Sequence, residues 1–289
     1  MDFASLFTQV LNGVQLGLLL FLIASGLTLI FGIMNFINLA HGSLFMVGAY
    51  IAYVCASAFC SLWFALPVAI AGGLLLGAVL ERVLFRFFYA REHLYQVLLT
   101  FALVLLFEEA RAFLVDNDFH AVPVPAVLDF SVPVTDSFSY SAYRLFVLGL
   151  CLVLAVLFFL FIERTRFGAR VRAAATNRDM VEALGLDVKK IFLAVFAIGT
   201  AMAVLAGALA APLYAVYPGI GDSFLIISFV VVVIGGVGSV AGAFWAALLI
   251  GLVDQLGKVL LPELSGMLVY LMMAAVLLWR PTGLFGRAA

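Results

Sequence analysis

Charge is what this chain most lacks. Its 289 residues include 15 Lys and Arg and 16 Asp and Glu, 11% of the total, against 66% hydrophobic residues. Soluble domains carry about 25% charged residues, and so few charges cannot cover the surface of a water-soluble globule of this length. A soluble enzyme is excluded, as are disordered and fibrous chains; the composition is that of an integral membrane protein. The formal net charge of −1 offers no basic face to nucleic acid. Cysteine is scarce too. Cys55, Cys60 and Cys151 sit inside apolar runs without metal-ligand spacing and read as small core hydrophobes rather than disulfide or metal partners. The first residues lack the basic start and small-residue cleavage site of a secretory signal, so the first apolar run is expected to be retained.

What is there is arranged in long apolar runs. No Asp, Glu, Lys or Arg occurs between Asp2 and Glu81. As helix at about 1.5 Å per residue that stretch would measure about 120 Å, several crossings of a hydrocarbon core about 30 Å thick. Gly32, Asn35, Asn38 and His41 interrupt it first, and a second break falls near 57–62. The pattern predicts helices over 7–31, 41–58, 63–88, 94–115, 145–162 and 191–211, then 224–234, 240–261 and 267–279. That is an all-α polytopic membrane protein of eight or nine segments, with short, broken or re-entrant pieces around 212–239.

The basic residues fix the orientation. Arg82, Arg86 and Arg91 share one connection, and 163–190 holds Arg164, Arg166, Arg170, Arg172, Arg178, Lys189 and Lys190. Arg280 and Arg287 mark the C-terminal end, while 116–143 carries four Asp, three Pro and no Lys or Arg. The first three regions are therefore expected in the cytoplasm and 116–143 outside, a parity that nine crossings satisfy. Within 163–190, Phe167, Val171, Ala174 and Ala175, then Met180, Val181 and Leu184, recur at helical spacing, with Asn177 at a join and Gly185 as a stop. Two short surface helices follow. On this pattern alone they are either a connector for anionic lipid heads or a docking element for a cytoplasmic partner.

Four stretches then carry a resemblance. SGLTLIFGIMNFINLAHGS (25–43), RVRAAATNRDMVEALGLDVKKI (170–191), IGGVGSVAGAFWAALLIGLV (234–253) and WRPTGLFG (279–286) are similar, in order, to the signatures of LivH-type permeases of branched-chain amino acid ABC importers. The resemblance implies one permease domain over 1–289 with no chemistry and no cofactor of its own. It implies a homologous LivM-type permease, two cytoplasmic ATP-binding subunits that hold the ATP, and a periplasmic substrate-binding protein. It also implies a place in the bacterial inner membrane. The docking reading of 163–190 gains accordingly, with Arg170, Arg172, Asn177, Glu182, Ala183 and Gly185 as coupling residues. The general coupling pattern is Glu-Ala-Ala, three residues, Gly; this chain has Glu182-Ala183-Leu184-Gly185, with an Ala run upstream at 173–175.

The remaining polar positions follow from cost, because intramembrane polar groups are kept only with a role. Asn35, Asn38 and His41 either cap the second helix or line a translocation pathway. Gly236, Gly238 and Ser239 mark a break at membrane depth, which is tolerated only when covered by protein or a water-filled cavity. Glu108 and Arg111, and Asp254 and Lys258, are one turn apart and are expected to pair; Asp222 is expected in a solvated loop. Gly13/Gly17, Gly73/Gly77 and Gly238/Gly242 have the spacing of close helix contacts. The run 251–258 is one residue too long for a phosphate loop and lacks Ser or Thr after Lys258, and GGVGS lacks the third dinucleotide-site glycine. The function expected is import of Leu, Ile or Val; another small solute (an amide, urea or aromatic acid) is the alternative. A lone ion-coupled transporter using Glu108, Glu109 or Asp254 is the rival of another class.

Overall fold

Helix α1 (Phe3–Met34) runs 32 residues because neither charge nor proline interrupts it. The computed structural model describes residues 3–34, 36–59, 61–135 and 138–286. Asn35 and Cys60 therefore lie outside the described residues. The chain continues through α2 (His41–Phe59), α3 (Leu62–Val83), α4 (His93–Leu114), α5 (Ala142–Arg164), α6 (Arg166–Thr176), α7 (Arg178–Ala183) and α8 (Val188–Ala210). It ends with α9 (Ile220–Gly235), α10 (Val240–Leu260) and α11 (Ser265–Trp279). Seven of these helices are long and apolar enough to cross a membrane, and the 16-residue α9 is shorter but apolar. α4 is also membrane-length, at 22 residues, with Glu108, Glu109 and Arg111 near its end. All the expected helices are present.

The centre of the bundle is α1, its apolar face buried all round between α8 and α10. Glycines allow this. An added Cβ at Gly17 would come 2.8 Å from the Ala247 carbonyl oxygen and the Leu248 Cα on α10, and one at Gly26 would come 2.6 Å from the Gly199 carbonyl oxygen on α8. Gly73 and Gly77 do the same for α3 against Ala201 and Ala197 of α8. Backbones approach this closely only where one side lacks a side chain, and such approach is what holds apolar helices together when the surrounding lipid is equally apolar. Gly238/Gly242 is a correction: Gly238 lies in a turn (φ +78°), and Gly242 faces the Gly235 carbonyl within the same reversal. That pair does not form a helix–helix seam.

The two ends differ chemically. At the basic end, Tyr89 packs edge-on to Phe192 (5.2 Å), and the Arg178 guanidinium lies 5.0 Å above the same ring. Residues 81–93 and 163–190 thus share one end, as the charge pattern requires, and Phe285 joins it by lining one cavity with Glu163 and Arg172; Arg287 lies outside the described residues. At the other end, His120 stacks on Tyr53 (4.1 Å between centroids) and its backbone pairs with Val216 in both directions at 2.9 Å. No strand is expected in 116–143 from sequence. The structure places an antiparallel hairpin there, β1 (Ser131–Thr135) with β2 (Phe138–Ser141), in register Val132↔Tyr140.

Depth is the least expected feature. His41 Nε2 donates to the Ile23 carbonyl of α1 at 3.0 Å. Ile23 is 11 residues before the end of α1, about 16 Å along the axis. Helix α2 therefore starts well inside the bundle, and the non-helical stretch leading to it is buried, with Phe36, Asn38 and Ala40 at most 1% exposed. Its first turn crosses the first turn of α9, Gly42 backbone against Gly221 backbone, with Phe45 stacked on Phe224 at 4.3 Å.

Candidate functional site

The basic-end projection is built by its caps. The Thr165 hydroxyl accepts from Gly168 N (3.1 Å) and starts α6. Asn177 ends α6 and starts α7, its side-chain oxygen accepting from Met180 N at 2.9 Å. Gly185 sits at φ +80°, so that its N–H reaches the Glu182 carbonyl (2.9 Å) and Leu186 N–H the Val181 carbonyl (3.2 Å), the Schellman pattern that closes a helix. Asp187 then accepts from Lys189 N and Lys190 N to start α8. Val171, Ala174, Val181 and Val188 face inward and are buried. Arg170, Glu182, Ala183 and Gly185 are exposed, and so are two apolar side chains, Met180 (58%) and Leu184 (72%). Arg178 pairs with Glu182 at 3.5 Å. Arg172 bonds the Ile162 carbonyl, tying α6 to the end of α5, and lies 3.5 Å from the Glu163 carboxylate.

Beside this projection the α9–α10 reversal forms a break where one was expected, but at the basic end of the bundle rather than at membrane depth. Gly236 (φ +94°) and Gly238 (φ +78°) take backbone conformations closed to most residues, and Ser239 caps α10 by accepting from Gly242 N at 3.0 Å. Gly238 packs against Gly32 of α1, and the C-terminal segment covers the turn, Leu284 N–H bonding the Ile234 carbonyl at 2.8 Å. Thus Gly236, Gly238 and Ser239 lie together at the basic end. Asn38 and His41 lie together deeper, some 16 Å along α1 by the rise per residue.

At that deeper point the polar pair caps the start of α2. Asn38 Oδ1 accepts from Ala40 N (3.1 Å) and the Asn38 carbonyl from His41 N (3.2 Å), which is capping. Donation by His41 Nε2 to a carbonyl leaves Nδ1 as an acceptor, and Nδ1 and Asn38 Nδ2 are both fully buried without a partner among the described residues. Buried polar atoms are usually paired, and these two are exceptions.

At the opposite end Glu108 and Asp254 are paired, whereas Glu109 is exposed. Glu108 pairs with Arg111 (3.1 Å) and also accepts from Gly219 N (3.1 Å), tying α4 to the start of α9. Arg111 further donates to Asn117 Oδ1 (3.0 Å) and the Asp116 carbonyl (3.3 Å). Asp254 pairs with Lys258 at 2.6 Å. Asp222, expected in a loop, is in the first turn of α9, where its charge favours the helix start. Sequence reasoning missed one cluster: Arg144 donates to Asn12 Oδ1 (3.3 Å) and Gln15 Oε1 (3.2 Å), with the Tyr140 hydroxyl also on Asn12 (2.8 Å). Its signal was Asn12 and Gln15 three apart in an otherwise uncharged run. Burial raises the Tyr140 hydroxyl above its ordinary pKa, against the opposing pull of Arg144. Among the described residues no group of three or more His, Cys, Asp or Glu is placed to hold a metal.

A polytopic helical bundle with one backbone break deep inside it, a second at one end and a capped, basic projection beside that second break is, by class, a transport permease. Comparison with known proteins agrees. Residues 9–277 match the family described as branched-chain amino acid transport system / permease component. The chain is 30% identical over 294 residues, 96% of its length and 95% of the relative's, to the high-affinity branched-chain amino acid transport system permease protein BraD of Pseudomonas aeruginosa. It is 29% identical to the corresponding LivH of Escherichia coli over 292 residues (96% and 95%). A probable LivH permease of Methanocaldococcus jannaschii is 29% identical over 286 residues (93% and 89%). No solved structure matches. The chain belongs to the branched-chain amino acid transport permease family, and it is a multi-pass protein of the inner membrane.

Proposed function

We propose that this protein is one membrane-spanning half of an ABC importer for leucine, isoleucine and valine. It carries no catalytic group and binds no cofactor; ATP is bound and hydrolysed by two cytoplasmic subunits, a LivM-type permease forms the other half, and a periplasmic binding protein delivers the solute. The single observation that carries this reading is the α6–α7 projection. Capped at every turn, it is rigid enough to transmit force, and it exposes Met180 and Leu184 where a soluble subunit can cover them. Force on α6 reaches α5 through Arg172, and force on α7 reaches α8 through Arg178, whose guanidinium lies over the Phe192 ring. The relatives' names supply the substrate class.

In this mechanism closure of the ATPase pair moves α6–α7, and Arg170, Arg172, Asn177, Glu182, Ala183 and Gly185 hold that element in shape or touch the partner. The break at Gly236, Gly238 and Ser239 lets the end of α9 and the start of α10 shift as separate bodies. Asn38 and His41 line the path at mid-depth, and Asn35 belongs with them by its place in the same signature. Because Glu108 and Asp254 are held in ion pairs, they serve the fold rather than ion coupling. Purification of the tagged protein in mild detergent, with mass spectrometry of what accompanies it, should recover a second permease and two ATPases. The purified assembly with its binding protein should take up labelled leucine only with ATP. A chain that purifies alone and moves solute without ATP refutes the proposal.

A further inference from the structure

Helix α6 does not close flat onto the bundle. Between it, the last turns of α1 and the α9–α10 reversal is a cavity of about 430 Å³ at the basic end. That falls in the size range of small-molecule sites, about 300–1,000 Å³, and far exceeds the roughly 30 Å³ share of one water. Its walls are of two kinds. Arg172 and Glu163 stand at the half-exposed mouth as a loose pair, 3.5 Å apart. Thr28, on α1, has a fully buried hydroxyl with no partner among the described residues. Ile33, Val240 and Phe285 supply apolar lining, and the hydroxyls of Thr176 and Ser239 are already bonded to backbone. A guanidinium and a carboxylate side by side, one unmet hydroxyl and an apolar wall match a zwitterion with an apolar side chain. They match neither a plain anion, which Glu163 repels, nor a hydrocarbon, which would strand three polar groups.

We propose that this cavity is a cytoplasm-facing binding site for an α-amino acid with an apolar side chain. The ligand carboxylate takes Arg172, its ammonium takes Glu163, Thr28 bonds one of them, and the side chain lies on Val240 and Phe285. The inference rests on the transport reading above and assigns that transporter a second, inward-facing site. Its walls are the docking helix and the break, so occupancy pins the two together. Solute accumulated inside therefore slows ATP turnover.

The test is equilibrium binding of labelled leucine to sealed membrane vesicles carrying the whole complex, without ATP or binding protein. Inside-out vesicles should bind saturably and right-side-out vesicles should not. Leucinamide and N-acetyl-leucine, each lacking one charge, should compete at least tenfold more weakly than leucine. Thr28→Val exchanges an unpaired hydroxyl for a methyl, so the fold should hold while binding weakens about tenfold; Glu163→Gln should weaken it at least as much. No saturable binding to inside-out vesicles, or leucine-like competition by both analogues, overturns the site. If ATP-driven leucine uptake persists in that case, the inward site alone is refuted. If uptake is also absent, the transport reading falls with it.

Discussion

Gly77 and Gly149 are both glycines in long apolar helices, α3 and α5, and Gly→Ala at each should have opposite consequences. A Cβ at Gly77 would lie 2.8 Å from Ala197 Cα and from Thr200 Cβ and Oγ1, while one at Gly149 meets nothing within 4 Å. Carbon atoms rest at about 3.5–4.0 Å, so α3 would have to retreat from α8 by about 0.7 Å or more. The Thr200 hydroxyl can rotate aside, but the two carbons cannot. Both substitutions gain about 0.5–1 kcal/mol of helix preference, and this cancels in their comparison. What remains is the overpacking term, about 1–3 kcal/mol against Gly77→Ala. That is a difference of about 5- to 150-fold in the ratio of unfolded to folded protein. Reversible unfolding of the two variants by SDS in mixed micelles measures it directly. If Gly77→Ala proves as stable as Gly149→Ala, the close approach of α3 to α8 is not a determinant of this fold.

Three further outcomes follow from single contacts. Tyr143→Phe removes the buried hydrogen bond from its hydroxyl to the Leu209 carbonyl (2.9 Å) and should cost about 1 kcal/mol, read in the same unfolding assay. Met180→Glu combined with Leu184→Glu should reduce recovery of ATPase subunits at least tenfold while the membrane domain melts unchanged, because both side chains are exposed; unaltered recovery would argue against docking through α7. The third concerns pH. Some desolvation pushes the Asp187 carboxyl upward, but the Lys190 N–H, the Lys190 ammonium and the Lys189 N–H outweigh it and hold the group below its ordinary 3.8. A depressed folded value means that the cap contributes in full above the ordinary value and is lost as pH falls through the lower one. Hydrogen exchange at the Lys189 and Lys190 amides should therefore be slower than in Asp187→Ala at neutral pH, with the gap closing in acid; a gap independent of pH would contradict the ion-based cap.

The legible part of this protein was local chemistry. Missing charge declared the membrane, runs bounded by Asn, Gly and Ser declared the helices, and Asn177, Gly185 and Ser239 sit at the caps where their side chains or conformational freedom are used. Pairs one turn apart, Glu108–Arg111 and Asp254–Lys258, formed because a helix brings such neighbours together whatever else packs nearby. Gly238/Gly242 misled because spacing cannot tell a seam from a turn, and Asp222 because a helix start moved by a few residues changes its surroundings.

Tertiary structure alone decided which faces meet. In water an amphipathic stripe points to the core, but here lipid-facing and core-facing sides are equally apolar, so no periodicity distinguishes the clear space at Gly149 from the contact at Gly77. The start of α2 deep beside Ile23 and the meeting of Asn12, Gln15 and Arg144 are likewise set by shape in three dimensions. So is the cavity between α6 and α1. The sequence determined that this chain is a membrane permease, because solvent preference is written in composition. Which helix faces meet, how deep α2 starts and where the cavity forms were left to packing, because in a uniformly apolar chain only the fit of surfaces selects one arrangement.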